Sequence, residues 1–167
     1  YDGKIRCSTG YISMTASLPI DKGVLLLAGV LMTACSPTQP QKLITIADAR
    51  VHKAQAVDVG EPGDTAGDLF VFDQPLLDQH GKDIGNNSGL CFRTRVGHSL
   101  QCQWTLTLAD GSIQVAGREF DQGASDIAIV GGTGAYSGIS GHMQSVSNDD
   151  GTFTQTLSYR MPQDRDR

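Results

Sequence analysis

Apolar residues recur at every second position in short runs separated by Gly-, Asp- and Asn-rich turn signals, and this constrains the fold most. Dyad alternation fits a strand with one face buried and fits no helix. The expected strands are Leu43–Asp48 (resuming at Ala54–Val59), Asp68–Leu77, Gly89–Arg95, Gln101–Leu108, Ser112–Glu119, Asp126–Val130, Gly141–Ser147 and Thr152–Met161. Asp110-Gly111 and Asp150-Gly151 are hairpin signals, and His80-Gly81-Lys82-Asp83 and Gly131–Gly141 are further breaks. No segment after residue 42 shows a glycine-free 3.6-residue apolar period over 12 or more residues. Strands spaced about 8–12 residues apart argue for an all-β sandwich or an up-and-down barrel. The 20 glycines, against 6 % aromatics, fit many tight turns.

The N-terminal part reads differently. Gly23–Ala34 is an apolar run of 12 residues, preceded by Lys22 and followed by Cys35. As a helix it spans roughly 18 Å, short of the ~30 Å hydrocarbon core. It is read as the apolar region of a secretory signal, and Met32-Thr33-Ala34-Cys35 as a bacterial lipobox that makes Cys35 the lipidated first mature residue. The competing reading is a buried amphiphilic first helix. Residues 1–34 are thus a leader, residues 35–42 a lipidated cysteine and polar tether with two prolines, and residues 43–167 the β-domain. The expected location is the bacterial cell envelope or outside the cell, with a membrane contact through the lipid on Cys35.

The formal charge of -5, without a basic stripe, excludes nucleic acid as an expected partner. The histidines are scattered, and Cys91 and Cys102 match no zinc spacing, so no metal site is expected. Gly132-Thr133-Gly134 lacks the last glycine of a dinucleotide loop, and no cofactor is expected. Cys91 and Cys102 fall on two runs that read as a hairpin. A turn centred between Val96 and Gly97 sets them directly opposite and permits a disulfide; a turn centred on His98 puts them on opposite faces and forbids it. With the first register, Arg93 and Arg95 face inward and Leu90 and Phe92 outward. That inversion fits a polar mouth on a barrel packed against sister subunits, or arginines that reach solvent at a strand end.

Gly67-Asp68-Leu69-Phe70-Val71-Phe72, Pro75-Leu76, Ile84-Gly85 and Gly89-Leu90-Cys91, in that order, resemble the first half of allene oxide cyclases and dirigent proteins. Ile113–Gly117 and Ile129–Tyr136, followed by Gly138 and Gly141, resemble the second half. The resemblance implies an eight-stranded antiparallel up-and-down β-barrel with a lipophilic cavity, assembled as a homo-oligomer, dimer or trimer. It implies a lipophilic small molecule as partner and a cofactor-free cyclase or isomerase. Dirigent proteins steer radical coupling, and a microbial branch of similar barrels performs stereoselective cycloadditions. Carried over by position, Phe70 and Phe72 match cavity-lining residues, Gln74 stands where cyclases place an Asn, and Cys91 matches a cavity cysteine. The catalytic carboxylate near the cyclase N-terminal strand has no matching motif here. An exported barrel that binds an apolar ligand without converting it is the alternative.

Two carboxylates are candidate catalytic groups. Glu119 shares a face with Ile113, Val115 and Gly117, so it reads as an inward acid with a raised pKa, although its place at a strand end equally allows exposure. Asp73 is out of phase with Phe70 and Phe72, which favours a structural role over a catalytic one. Trp104 shares the apolar face of its strand with Cys102, Leu106 and Leu108 and is expected in the cavity wall.

Overall fold

The computed structural model describes residues 39–162. Nine strands follow one another: β1 (Gln41–Asp48), β2 (Gln55–Val57), β3 (Leu69–Leu77), β4 (Asp83–Arg95), β5 (Ser99–Leu108), β6 (Gly111–Phe120), β7 (Ala124–Gly132), β8 (Ser140–Ser147) and β9 (Thr152–Arg160). All neighbours are antiparallel, in the order β1-β9-β8-β7-β6-β5-β4-β3-β2, and β1 also pairs with β3. That last pairing closes the eight long strands into a barrel and leaves no free edge at the seam. The expected all-β barrel is therefore the fold, and the sandwich is not.

Closure rests on two residue pairs, Ile46 with Leu77 and Ala47 with Leu76. Above them β1 leaves β3, and the short β2 takes its place against Leu69–Val71. Pro75, which has no N–H to offer, sits beside this change of partner. β1 begins at Gln41, two residues earlier than the alternation indicated, because Gln41 and Lys42 pair with Tyr159 and Ser158.

The lower half of the barrel is solid. Leu76, Leu106, Ile113, Ile127, Met143 and Leu157 are fully buried there. Each such side chain contributes roughly 1.5–3 kcal/mol of transfer free energy. A 3₁₀ turn, Gly134–Tyr136, sits beside β6, and Tyr136 packs on the core.

One register detail decides the phase of β4. The β4–β5 turn pairs Arg95 with Ser99, but Arg93 pairs with Leu100, so Thr94 is the extra residue of a bulge. Its hydroxyl donates to the Ser99 carbonyl at 3.0 Å. Gly97, with φ +62°, lets the chain reverse within the turn. The bulge sets Cys91 opposite Cys102. It also corrects one expectation: Arg93 faces inward, but Arg95, beyond the bulge, is exposed.

Candidate functional site

The upper half of the barrel is hollow. A cavity of about 490 Å³ opens at the end where β3 and β9 begin and β4 and β6 end. Its apolar wall includes Phe70, Phe72, Leu100, Trp104 and Phe153, and Gln74, Asn87 and Gln155 supply amides. The size suits a small organic ligand. Every inner position follows from the pleat: Phe70, Phe72 and Gln74 alternate on β3 and pair with Cys91, Gly89 and Asn87 on β4.

Gly89 makes the hollow possible on this side. It pairs with Trp104, and a Cβ on it would lie 2.3 Å from the Trp104 Cβ. The missing side chain leaves the indole its place, edge-on to Phe72 with ring centroids 6.3 Å apart. The indole N–H is buried and has no partner among the described residues.

A chain of hydrogen bonds floors the cavity. The Thr45 hydroxyl donates to Gln155 Oε1 at 3.0 Å, and Gln155 Nε2 donates to Asn87 Oδ1 at 3.2 Å. These groups are buried yet partnered, which removes most of the cost of placing amides in an apolar barrel.

Glu119 also lines the cavity, and its carboxylate accepts a hydrogen bond from the Ser145 hydroxyl at 2.7 Å. Burial pushes its pKa up, and the Ser145 bond lowers it by less than burial raises it. It is a carboxyl group that holds its proton to higher pH than an exposed one, beside apolar walls. Cys91 and Cys102 form a disulfide in the same wall. A Glu119 oxygen and the two sulfurs lie within 4.8 Å of one another, but a disulfide offers no thiolate to a metal ion. The bridge also means that Cys91 has no free thiol to play the part of the cyclase cysteine.

The mouth is held by Arg93. Its guanidinium donates to Asp64 Oδ1 at 2.7 Å and to Asp121 Oδ1 at 2.6 Å, and it stands 5.4 Å from the Phe70 ring centroid. The side chain is 10 % exposed, Asp121 26 % and Asp64 42 %. Arg93 thus ties two mouth loops to the wall. Asp68 organises the first loop by accepting from the Val59 N–H at 2.9 Å and the Thr65 N–H at 2.7 Å, and these bonds hold its carboxyl below the usual range. The segment between β1 and β2 brings Ala49, Lys53 and Ala54 to the cavity. Arg50 anchors its start through Asp48 at 2.8 Å.

Of the residues singled out in the sequence, Phe70, Phe72, Gln74, Cys91, Trp104 and Glu119 all line this one cavity. Asp73 does not. It is exposed on the outer wall, beside Val51, His52 and Gln55, as its phase on β3 requires. Cys35 and the leader lie outside the described residues. Sequence reasoning missed Asn87, Ser145 and Gln155, although Gln155 alternates in phase with Phe153 and Leu157 and was open to the same argument as Glu119. The Asp64–Arg93–Asp121 group joins three separate segments, and nothing local signals it.

No curated protein matches the chain. Among solved structures, a pyocyanin demethylase is 25 % identical and superposes with a TM-score of 0.61, covering 72 % of this chain and 100 % of that one. A pterocarpan synthase dirigent protein is 22 % identical, TM-score 0.59, covering 75 % of this chain and 97 % of that one. A Diels-Alderase from Streptomyces koyangensis is 19 % identical, TM-score 0.59, covering 72 % of this chain and 64 % of that one. The family model described as dirigent-like protein matches residues 41–161, from the first strand of the barrel to just past the last, and the chain belongs to that family.

Proposed function

We propose that the barrel takes a small, largely apolar molecule into its open cavity and steers its cyclisation or another stereoselective conversion without a cofactor. One observation carries this reading: Glu119, with its raised pKa and its bond to Ser145, is presented to a cavity walled by Phe70, Phe72, Trp104 and Phe153. The walls would fix the conformation of the ligand and exclude water, so that orientation lowers much of the barrier. Glu119 would supply or remove a proton at a ligand oxygen or nitrogen. Gln74 and Asn87 are placed to orient a polar group of the ligand. Asp73, on the outer wall, has no part in this mechanism. The relatives named as pterocarpan synthase and Diels-Alderase support steering of ring formation as the class of task.

A second reading has an exported barrel that holds an apolar ligand unchanged. The disulfide favours it, since such bonds persist in oxidising, extracytoplasmic compartments, and the lipobox at Cys35 would attach the domain to the envelope. In either reading a sister copy would cover the apolar outer wall at Val71, Leu90 and Phe92, which are 46 %, 47 % and 41 % exposed.

Native mass spectrometry of protein taken from its own source separates the two. A bound lipophile that wild-type protein converts, and that Glu119→Gln binds but leaves unconverted, supports catalysis. A lipophile that both proteins release unchanged supports the binding reading. No lipophile, with no uptake of added apolar molecules, removes both. The same spectra report subunit number and the diacyl mass expected on Cys35.

A further inference from the structure

The disulfide is built into the cavity wall and not onto the outside of the barrel. Both cysteines are buried, but Cys91, 7 % exposed, lines the cavity, and its partner Cys102, 2 % exposed, does not. Of the two cysteines, Cys91 is the one on the side of the chamber. An acid stands beside them, because a Glu119 oxygen lies within 4.8 Å of both sulfurs.

We propose that this cavity is also a site of thiol–disulfide exchange with small uncharged thiols, in which Cys91 is the sulfur attacked and Glu119 carries the proton. The proposal does not rest on the functional reading above. It requires only the bridge, the neighbouring carboxyl and the opening.

A thiol RSH gives its proton to the Glu119 carboxylate, and the resulting thiolate attacks Cys91 Sγ. The new RS–S bond forms as the Cys91–Cys102 bond breaks, and the electron pair leaves on Cys102 Sγ. Glu119 returns its proton to that sulfur, which is too enclosed to draw one from bulk water. A second RSH then attacks the outer sulfur of the mixed disulfide; the Cys91 S–S bond breaks with its electron pair on Cys91 Sγ, which takes the proton of the second thiol, so RSSR leaves and both cysteines end as thiols. Two thiols lose two electrons to the bridge, and Glu119 ends as it began. Burial brings the carboxyl closer to the thiol range than an exposed one, which suits it to relay this proton.

The opening sets the class of thiol. The Arg93 charge is already shared between Asp64 and Asp121, and the inner wall is aromatic. A small neutral thiol enters such a chamber, whereas a tripeptide thiol bearing carboxylates must strip its charges of water against apolar rings and pass a mouth that already holds two carboxylates.

The test uses the full chain, 2-mercaptoethanol and glutathione, with peptide mapping to follow alkylation at Cys91 and Cys102 alone. Rates are taken at equal thiolate concentration and divided by those for an unfolded peptide carrying the same disulfide. The expected result is a ratio at least tenfold larger for 2-mercaptoethanol than for glutathione. Glu119→Gln should slow 2-mercaptoethanol at least fivefold, while Asp73→Asn, on the outer wall, should not. Trapping with limiting thiol should find the first adduct on Cys91. Equal ratios for the two thiols overturn the proposal, as do a first adduct on Cys102 or a reduction rate that follows global unfolding across a urea series. If Glu119→Gln does not fold, the size comparison and the site of the first adduct decide on wild-type protein.

Discussion

The Ser145 hydroxyl on β8 donates to the Glu119 carboxylate on β6 across the hollow end of the barrel, at 2.7 Å. This bond is the main interaction opposing the rise in the Glu119 pKa that burial causes. It links the chemistry of the cavity to the stability of the fold.

The pH dependence of stability follows from that link. Glu119 has a folded pKa above its ordinary value of 4.5, so between the two values the folded state binds more protons than the unfolded state. Stability from this group is full below the ordinary value and is lost as pH rises through the raised one. Glu119→Gln removes that loss. Thermal unfolding should show the variant gaining on wild type as pH rises above 4.5, and Ser145→Ala should move the transition to higher pH. A constant difference between Glu119→Gln and wild type across this range would contradict the burial of the carboxyl.

Arg93 should matter through its geometry as well as its charge. Arg93→Ala leaves Asp64 and Asp121 without their cation and uncovers Phe70. Because both aspartates are partly solvated, the expected cost in urea unfolding is roughly 1–3 kcal/mol, below that of a fully buried pair. Arg93→Lys should recover less than half of it, since an ammonium cannot span two carboxylates with a planar fork.

Gly89 is a steric requirement of the cavity wall. Gly89→Ala puts a methyl group 2.3 Å from the Trp104 Cβ and 2.4 Å from the Gln103 carbonyl oxygen. Two β-strands must part to admit it, at a cost of about 3 kcal/mol or more. Trp104 is the protein's single tryptophan, so its fluorescence should shift in the folded variant. Gly131→Ala, where a Cβ meets nothing within 4 Å, should change stability far less.

Asp68 should act on one loop. Asp68→Ala removes the acceptor for the Val59 and Thr65 amides, and their hydrogen-exchange protection should fall while that of β5 and β6 is kept. The depressed pKa gives the opposite sign to Glu119: stability from Asp68 is present above the ordinary value and is lost as pH falls through the lowered one. In wild-type protein the same two amides should lose protection at acid pH before the barrel unfolds.

Sequence alone determined the strands, the inward face of most of them and so the residues lining the cavity, because a period of two is a local property that each strand writes independently. Glu119, Phe70, Phe72 and Trp104 were readable in this way, and Asp73 was readable as out of phase. The Cys91–Cys102 pairing was readable only as one of two registers, because the bulge at Thr94 that settles it exists only once β4 and β5 are paired. Closure was a matter for the tertiary structure, since the β1–β3 seam joins residues about 30 positions apart through two pairs that carry no local signature. So were the Ser145–Glu119 bond, the Thr45–Gln155–Asn87 chain and the Asp64–Arg93–Asp121 clamp. Each needs side chains from strands and loops that meet only after the sheet has curled, and a polar residue gives no sign in the sequence of which distant partner will repay its burial.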